Sequence, residues 1–366
     1  MTIRSTTGHP SADQLKLTQR KPDTAENLKK LKQEAEKDGL PSVIAKQGKD
    51  LLLLSGAAKT ESKIARVSAE EGISKGDKLE VDGAEATVLS TDDGFSEIKA
   101  QDVIVAVVDS AFDVDHPAFE GRIVSPYNAV DGSTDVSDKR PHGTHVAGII
   151  AGAEGLHPDA GGVAPQVKIM PIKAAGKSGY TPKAIAEGIR YAVDNGAKVI
   201  NLSVGGRTEF ENIKEAIEYA YQQGVVIVVA AGNNKSRNNL LYPARMEQEV
   251  LAIGSVGEDG KRSKFSNRGA QLDIMAPGED IVSALPGNVF DALSGTSMAS
   301  PYVAGAAALV VARHPDWTVD QVYEHLKSAA SDLGEPGWDK ETGFGQLDLF
   351  KAVYGENLPS VQKTER

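Results

Sequence analysis

Five short, almost continuously apolar segments between residues 103 and 255 restrict this chain to a small set of folds. Strands buried on both faces have this Val-, Ile- and Ala-rich composition, whereas half-exposed strands alternate between apolar and polar residues. Stretches of helical periodicity separate the segments, which indicates an α/β domain with helices on both faces of a parallel sheet. The predicted strands are Val103–Val108, Val167–Ile172, Lys198–Ser203, Val225–Ala230 and Val250–Ser255.

The order of these segments predicts a doubly wound, mostly parallel sheet. Such a sheet binds its ligand outside the carboxyl ends of the strands. Three polar residues, Asp109, Ser203 and Asn233, lie at that edge, so we expect the functional site there. The predicted helices begin near His142, Pro182, Glu209, Ser297 and Val319.

The first hundred residues are rich in charge and indicate a small, separate α+β domain with the element order βαββαβ. Thr24 is a suitable N-cap for its first helix and Gly39 a suitable stop. Its predicted strands are Gln14–Thr18, Ser42–Ala45, Asp50–Leu54 and Lys78–Val81, and its helices are Thr24–Asp38 and Thr60–Glu71. We divide the chain into an N-terminal domain (1–90), a second domain (91–355) and a C-terminal tail (356–366).

Composition argues against several classes of function. The 366 residues carry a formal net charge of -11, whereas a nucleic-acid-binding surface needs clustered excess Lys and Arg. The longest apolar runs, such as Val225–Ala231 and Ala306–Ala312, fall short of the ~18 to 20 residues of a membrane span. The absence of cysteine removes disulfides and thiolate chemistry. We expect neither nucleic-acid nor membrane partners.

The N-terminal residues 1–7 do not begin a secretory signal, because no apolar core of ~7 to 15 residues follows a basic start. This predicts a cytoplasmic protein. Secretion by another route, or after trimming of a signal, stays open as the alternative.

Three segments place reactive side chains at the ends of predicted elements. Asp109 follows a strand, His142 opens a helix, and Ser297 precedes a long apolar helix. A serine hydroxyl is a poor nucleophile until a nearby base takes its proton, and an imidazole with a pKa near ~6.5 is suited to that task. A buried carboxylate would hold the imidazole in the required tautomer. The three residues together predict a hydrolytic triad.

Each of these residues also has a simpler explanation when taken alone. Ser297 could cap a helix, His142 could be a satisfied interior histidine, and Asp109 could be a turn residue. Their order, and their positions at element ends, favour the triad. His145, about one helical turn from His142, is the rival base.

These motifs resemble those of the subtilisin-like serine proteases, the subtilase family, in which the triad has the same order. The resemblance covers roughly residues 101–352 and implies a subtilisin-like fold and a serine endopeptidase that forms an acyl-enzyme. It favours His142 over His145 as the base. Further segments in family order are Gly162–Pro165, Val199–Gly206, Ala230–Asn233, Tyr242–Arg245 and Met275–Gly278.

The resemblance also implies the rest of the site. The oxyanion hole is expected from Asn233 and the backbone of Ser297, with a turn-forming asparagine as the alternative for Asn233. A peptide or protein substrate is expected to bind as an extended strand. Its binding residues would be Ser203, Val204 and Gly205 on one side, Ser178, Gly179 and Tyr180 on the other, and Leu241 on the floor of the primary pocket. The glycine-containing run 178–180 could instead be a simple turn, and Leu241 favours medium or small apolar side chains.

We expect no cofactor and no required metal. Many relatives bind calcium through an aspartate and a nearby loop, but the position of that aspartate is Ala118 here. The matching loop, Ala153–Gly161, contains Glu154 and Asp159 but lacks the expected asparagine. A weaker calcium site stays open.

The N-terminal domain resembles a subtilase propeptide in size and element order. This predicts a zymogen that is inhibited by its own N-terminal domain, with the junction in the turn-rich segment Asp82–Phe95. An accessory domain that remains attached is the alternative. Two other functions stay open: a catalytically silent subtilase fold used for binding or sensing, and a protease dedicated to the maturation of one peptide.

Overall fold

The computed structural model describes residues 98–354 other than 154 and 158, and the backbone of five strands nearer the N terminus. These strands are β1 (Ser42–Gln47), β2 (Asp50–Ala57), β3 (Glu61–Ser68), β4 (Lys78–Val81) and β5 (Ala84–Val88). They form one sheet in the order β3-β2-β1-β5-β4, in which β1 and β5 are parallel and the other neighbours antiparallel. The strands predicted from residues 42, 50 and 78 coincide with β1, β2 and β4.

The helix predicted at Thr60–Glu71 is wrong, because β3 occupies most of that segment. The whole of β3 pairs antiparallel with β2, from Glu61 opposite Ala57 to Ser68 opposite Asp50. Charges at helical spacing suggested a helix, but pairing with a neighbouring strand outweighs weak helix propensity. Strand β5 lies within the segment predicted to be only a junction.

The remaining N-terminal predictions fall outside the described residues. They are the strand Gln14–Thr18, the helix Thr24–Asp38, the domain limit at residue 90 and the tail from residue 356. These stay predictions.

A larger compact unit comprises Lys99–Gly257 and Lys261–Val353. Its first strands are β6 (Ile104–Asp109), β7 (Tyr127–Asn128), β8 (Lys168–Lys173), β9 (Ala175–Gly176), β10 (Gly179–Tyr180), β11 (Val199–Leu202) and β12 (Val226–Ala230). The later strands are β13 (Leu251–Val256), β14 (Ile274–Pro277), β15 (Ile281–Leu285), β16 (Val289–Leu293), β17 (Ala330–Ser331) and β18 (Gln346–Leu347). The helices are α1 (His142–Ala151), α2 (Pro182–Asp194), α3 (Glu211–Gln222), α4 (Thr296–Arg313), α5 (Val319–Ser328) and α6 (Leu349–Tyr354).

Nine of these strands form the central sheet, in the order β17-β18-β14-β13-β12-β11-β6-β8-β7. Every neighbouring pair is parallel except β17 and β18. The mostly parallel, doubly wound sheet predicted from the sequence is therefore confirmed. The five predicted strands match β6, β8, β11, β12 and β13 to within one residue at each end, and the helix starts agree to within two residues.

The two faces of the sheet are covered by different helices. One face packs against α2 and α3, and its core contains alternate strand residues such as Ala106 and Val108 of β6 and Ile200 and Leu202 of β11. The residues between them, such as Val107, face the opposite side, where α1 and α4 pack on the strands. Helix α4 is buried along most of its length, as expected of a helix at the centre of a fold.

Helix starts follow from local capping. Thr181 accepts a hydrogen bond from Ala184 N at 3.1 Å, and Pro182 occupies the first helical position of α2. Thr318 and Gln321 form a reciprocal capping box at α5. Within residues 98–354, no helix combines the length and apolarity that crossing a bilayer requires.

The sheet order explains where a site can form. Of the nine strands of the central sheet, β6 comes first in the sequence, but it lies in the sheet interior, between β8 and β11. The chain moves from β6 to β8 on one side and then crosses to β11 on the other. Such a switch of direction opens a crevice at the carboxyl ends of the neighbouring strands.

Candidate active site

Asp109 and His142 form a close pair at this crevice. Asp109 is the last residue of β6 and is fully buried, and His142 is the first residue of α1. His142 Nδ1 lies 2.8 Å from Asp109 Oδ1 and 3.0 Å from Oδ2. Because a carboxylate only accepts, Nδ1 carries the proton, which leaves Nε2 of the neutral ring as an acceptor.

The approach of α1 to the end of β6 depends on a residue without a side chain. A Cβ atom on Gly143 would lie 2.4 Å from the carbonyl oxygen of Ala111 and 3.0 Å from the ring of Phe112. Any larger residue would push the first turn of α1 away from the segment that follows β6. Gly143 therefore allows the contact between His142 and Asp109.

The electrostatics of the pair favour a charged imidazole. Burial opposes protonation of His142, but the charge of Asp109 and its hydrogen bond outweigh burial and raise the pKa of His142 above its ordinary value. His145 differs, because it is fully buried and its Nε2 lies 3.2 Å from the carbonyl oxygen of Asp291. Burial lowers the pKa of His145 to about 4. The structure thus brings His142, and not the rival His145, to Asp109.

Ser297 lies in the first turn of α4, on the same cleft as His142. Its Oγ donates to the carbonyl oxygen of Ser203 at 3.4 Å. Within the described part of the chain, no hydrogen bond joins Ser297 Oγ to His142. In this conformation the Ser297 hydroxyl is therefore bonded to the residue that follows β11.

A proline in α4 explains how the backbone of Ser297 is held. Pro301 has no N–H, so the carbonyl of Ser297 lacks its helical partner four residues on. Ser203 Oγ donates to that carbonyl at 2.9 Å instead. Ser203 Oγ in turn accepts from Asn201 Nδ2 at 3.0 Å, and Asn201 Oδ1 accepts from Ser300 Oγ at 2.7 Å. This buried chain ties α4 to β11.

Asn233 Nδ2 and the backbone nitrogen of Ser297 lie near the same glycine, Gly295. The position that a Cβ atom would take on Gly295 lies 3.1 Å from Asn233 Nδ2 and 3.6 Å from Ser297 N. Among the described residues, Ser297 N has no hydrogen-bond partner, and it lies at a helix N terminus, where backbone N–H groups favour negative charge. Asn233 Nδ2 and Ser297 N therefore both lie next to Gly295, at the start of α4.

The orientation of the Asn233 amide is fixed by Thr296. Asn233 Oδ1 accepts from both Thr296 N and Thr296 Oγ1, each at 2.9 Å. Thr296 Oγ1 also accepts from Gly232 N at 3.1 Å, and Thr296 is fully buried. With its oxygen engaged, the amide presents Nδ2 to the cleft.

The cleft encloses about 610 Å³ between the ends of β10, β11 and β12. It contains most of the residues that the sequence assigned to substrate binding, namely Gly179, Tyr180, Ser203, Val204, Gly205 and Leu241, together with Asn233, His142 and Ser297. Ser178 does not line it. Residues 177–178 form the exposed turn between β9 and β10, so the turn alternative applies to Ser178 but not to Gly179 and Tyr180.

One part of the cleft is a slot between two glycines. A Cβ atom on Gly232 would lie 2.6 Å from Leu241 Cγ, and one on Gly205 would lie 3.1 Å from Leu241 Cβ. The backbone of Leu241 donates to Ala231 O at 3.0 Å, which holds this residue between the ends of β11 and β12. Leu241 therefore closes the floor of the slot.

Sequence reasoning missed two residues at the site, Arg140 and Thr296, and one contact of a residue that it named. Tyr180 was expected to bind substrate, but no bond to Asp109 was predicted, and its hydroxyl donates to Asp109 Oδ1 at 3.1 Å. Arg140 lines the cleft and donates to the carbonyl oxygens of Gly176 and Ala175, both at 3.0 Å. Thr296 orients Asn233. Only Thr296 had a signal in the sequence, since it directly precedes Ser297.

Near the segment in which the resemblance implies a calcium ion, an arginine side chain supplies a positive charge. The guanidinium of Arg122 donates to the carbonyl oxygens of Ala118, Ala151 and Pro165. A fixed positive charge on these carbonyls does not fit a metal ion there. Outside the segments left undescribed, which include Glu154, no group of three or more His, Cys, Asp or Glu residues is placed to hold a metal.

Comparison with known proteins agrees with this geometry. The sequence pattern of the subtilase family (peptidase S8) matches residues 100–345. Subtilisin DY of Bacillus licheniformis is 40% identical over 241 residues, which are 65% of this chain and 86% of the relative. Subtilisin E of Bacillus subtilis (strain 168) is 39% identical over 257 residues, 66% of each chain.

Solved structures show the same relationship. Fervidolysin from Fervidobacterium pennivorans, described as a keratinolytic enzyme related to subtilisin, superposes with a TM-score of 0.66 and 35% identity, over 73% of this chain and 44% of its own. A cold-adapted subtilisin-like serine proteinase gives a TM-score of 0.61 and 34% identity, over 68% of this chain and 89% of its own. The chain therefore belongs to the subtilase family and is a subtilisin-like serine endopeptidase.

Proposed function

We propose that this endopeptidase cleaves peptide bonds by acylation of Ser297, with His142 as general base and Asp109 as the group that orients and charges it. The observation that carries the proposal is the close Asp109–His142 pair, which lines one cleft together with Ser297 and Asn233. Both carboxylate oxygens lie within hydrogen-bond distance of the imidazole, so the ring is held with Nε2 as its free acceptor.

In the acylation step, Ser297 Oγ turns from Ser203 to His142 and attacks the carbonyl carbon of the scissile bond. The hydroxyl proton passes to His142 Nε2, and the imidazolium is stabilised by Asp109. Ser297 N and Asn233 Nδ2 receive the oxyanion of the tetrahedral intermediate. The C–N bond then breaks, His142 returns its proton to the leaving amine, and the acyl group stays on Ser297.

In the deacylation step, water replaces the amine. His142 removes a proton from the water as its oxygen attacks the acyl carbon, and the same two donors hold the second oxyanion. Collapse breaks the bond to Ser297 Oγ, which recovers its proton from His142. The products are a free carboxylate and the restored enzyme.

The substrate binds as an extended strand between residues 203–205 and residues 179–180. Backbone recognition of this kind gives broad sequence tolerance, so general peptide cleavage fits the cleft better than the maturation of one peptide. The slot between Gly205 and Gly232 receives the side chain on the acyl side of the scissile bond. Leu241 on its floor restricts that side chain to a small one.

The N-terminal domain is proposed to be an inhibitory propeptide, and no metal is required for activity. Similarity in size supports the first proposal, whereas the element order does not, because β3 replaces the second predicted helix. The guanidinium of Arg122, bound to three carbonyl oxygens, supports the second.

A serine-directed fluorophosphonate tests the acylation proposal. We expect the wild-type chain to gain one phosphonyl group on Ser297 and to hydrolyse a casein substrate, and Ser297→Ala to do neither. Ser294→Ala, which removes a nearby hydroxyl bonded to Asp280, is the matched control and should behave as wild type. Labelling of Ser297→Ala at the same rate as wild type would exclude Ser297 as the nucleophile.

Intact mass after parallel incubation tests the propeptide. Wild type should lose roughly its first 80 to 100 residues, while Ser297→Ala remains whole. Mixing a trace of active enzyme with Ser297→Ala shows whether one molecule can process another. If wild type keeps its full mass while the fluorophosphonate labels it, the N-terminal domain is an attached accessory domain and not a propeptide.

A further inference from the structure

One carboxylate oxygen at the site serves two different side chains. Asp109 Oδ1 lies 2.8 Å from His142 Nδ1 and also accepts from Tyr180 Oη at 3.1 Å. Burial, and then the neighbouring carboxylate, raise the pKa of Tyr180 far above its usual value. The phenol therefore stays protonated and is a permanent donor. The mechanism proposed for Asp109, His142 and Ser297 assigns no role to the Tyr180 hydroxyl.

Tyr180 belongs to the hairpin of β9 and β10, and this hairpin is fixed to the catalytic pair at a second point. Ala175 pairs with Tyr180, and Gly176 pairs with Gly179. The carbonyl oxygens of Ala175 and Gly176 accept from Arg140, which lies two residues before His142. One strand of the hairpin is thus held beside His142 and the other on Asp109.

The position of the hairpin follows from the sheet. Strand β8 pairs with β6 up to Lys173 opposite Asp109, and β9 follows β8 almost at once. The short turn at residues 177–178 then returns the chain, so that β10 ends over the carboxylate. The Tyr180 residue as a whole remains 40% exposed while its hydroxyl is engaged. The ring therefore lies on the wall along which a substrate strand docks.

We propose that Tyr180 is a positioning residue of the proteolytic site: its hydroxyl holds Asp109 Oδ1 and so sets how strongly Asp109 orients and charges His142. This inference rests on the proposed function, because it assigns His142 as the base. Tyr180 does not touch the reacting atoms, and it acts through Asp109.

The direction of the effect follows from the charge on the carboxylate. A donor on Oδ1 takes up part of that charge, which weakens the attraction between Asp109 and the His142 imidazolium. Removal of the donor leaves more of the charge to His142 and raises the pKa of His142. The other titratable or charged groups around the pair are His145 on α1 and Arg140 before α1, and Asp138 ion-pairs with Arg140. None of them changes in Tyr180→Phe.

The first experiment compares Tyr180→Phe with wild type in the full chain, by the pH dependence of kcat/KM for a peptide substrate. We expect the acidic limb of the variant to move to higher pH by roughly half a unit. We expect kcat above the limb to fall about 10-fold, with KM nearly unchanged, since the lost hydrogen bond orients the base and does not bind substrate.

A matched control is available on α3. Tyr219 Oη donates to Asp194 Oδ1 at 2.7 Å on the exposed surface, so Tyr219→Phe removes the same kind of hydrogen bond away from the cleft. Its profile should coincide with that of wild type. An unmoved limb in Tyr180→Phe, or an equal shift in both variants, overturns the proposal.

A second measurement does not depend on turnover. In Ser297→Ala, NMR titration of labelled histidines should show the pKa of His142 rising when Tyr180→Phe is added.

In Asp109→Asn, addition of Tyr180→Phe should change kcat/KM by less than 2-fold, because Tyr180 acts through the carboxylate. A full 10-fold loss in that background overturns the proposal. Unimpaired activity of Asp109→Asn itself would instead contradict the proposed triad.

Discussion

Leu241 lies directly against Gly232, since a Cβ atom on this glycine would be 2.6 Å from Leu241 Cγ. The backbone of Gly232 has a positive φ of 104°, a conformation that glycine adopts readily and other residues rarely do. The wall at Gly232 therefore carries no side chain, and the Leu241 side chain packs directly against it. The contact between Leu241 and Gly232 leads us to predict how substitution of Leu241 changes the preference for the substrate side chain.

Leu241→Gly should deepen the slot and reverse its size preference. Wild type should cleave after alanine faster than after phenylalanine, and the variant should raise the phenylalanine-to-alanine ratio of kcat/KM by at least about 100-fold. Peptides that differ only at that residue measure the ratio. Leu241→Ala should give an intermediate value, and Leu156→Ala, which truncates an exposed leucine outside the cleft, should give the wild-type ratio. Equal ratios in all four proteins would show that the slot does not receive this side chain.

The acidic limb of the pH profile should lie above the ordinary histidine pKa of ~6.5. The base acts in its neutral form, and the pKa of His142 is raised, so kcat/KM falls as the pH drops through this raised value. The pKa of His145, about 4, predicts a limb far lower if that residue were the base. Initial rates between pH 4 and 9 distinguish the two histidines, and a limb near 4 would assign the role to His145.

Thr296→Val should lower kcat without loss of the fold. The variant keeps the shape of the side chain but leaves Asn233 Oδ1 with one donor and Gly232 N with none. We expect a loss of about 10-fold in kcat, smaller than for Asn233→Ala. For the latter, the loss of about 100- to 1,000-fold is a magnitude established on a subtilisin and not calculated from this structure.

The control for Thr296→Val is Thr342→Val, which removes another buried threonine hydroxyl bonded to Asp339. It should leave kcat unchanged. Thermal unfolding of both variants in the Ser297→Ala background shows whether either is unfolded. A normal kcat in Thr296→Val would mean that Thr296 N alone holds the Asn233 amide.

Arg122→Met should destabilise the enzyme, while removal of divalent metal should not. The substitution removes the charged donor shared by the carbonyl oxygens of Ala118, Ala151 and Pro165, of which Ala118 O keeps its bond from Ala153 N. We expect a loss of about 2 to 4 kcal/mol of unfolding free energy. Denaturant unfolding of the Ser297→Ala chain, with and without a chelator, measures both effects. A drop of that size in wild-type stability on chelation would reveal a structural metal and contradict the proposal.

The parallel sheet could be predicted because strands such as Val226–Ala230 are buried on both faces and contain almost only apolar residues. The positions of Asp109, His142 and Ser297 at the ends of elements could be predicted from the sequence, and the structure places all three there. Strand β3 could not, since its pairing with β2 is absent from its own composition.

Side-chain contacts across the site were also beyond sequence reasoning. Tyr180 and Asp109 are far apart in the chain, and their contact depends on the exact return of the β9–β10 hairpin. The link from Ser203 Oγ to the Ser297 carbonyl had a usable signal, because Pro301 removes the helical partner of that carbonyl. The three carbonyls bound by Arg122 come from separate segments, and no local pattern marks them.

The interior position of β6 has a consequence for the timing of synthesis. The strand that ends at Asp109 leaves the ribosome early, but its neighbours β8 and β11 and the helix that carries Ser297 follow much later. Domains fold as units during translation at about 5 to 20 residues per second. A nascent chain that has reached α1 therefore holds Asp109 and the proposed base His142 but not the proposed nucleophile. On the proposed mechanism it cannot cleave other proteins until nearly the whole unit has been made.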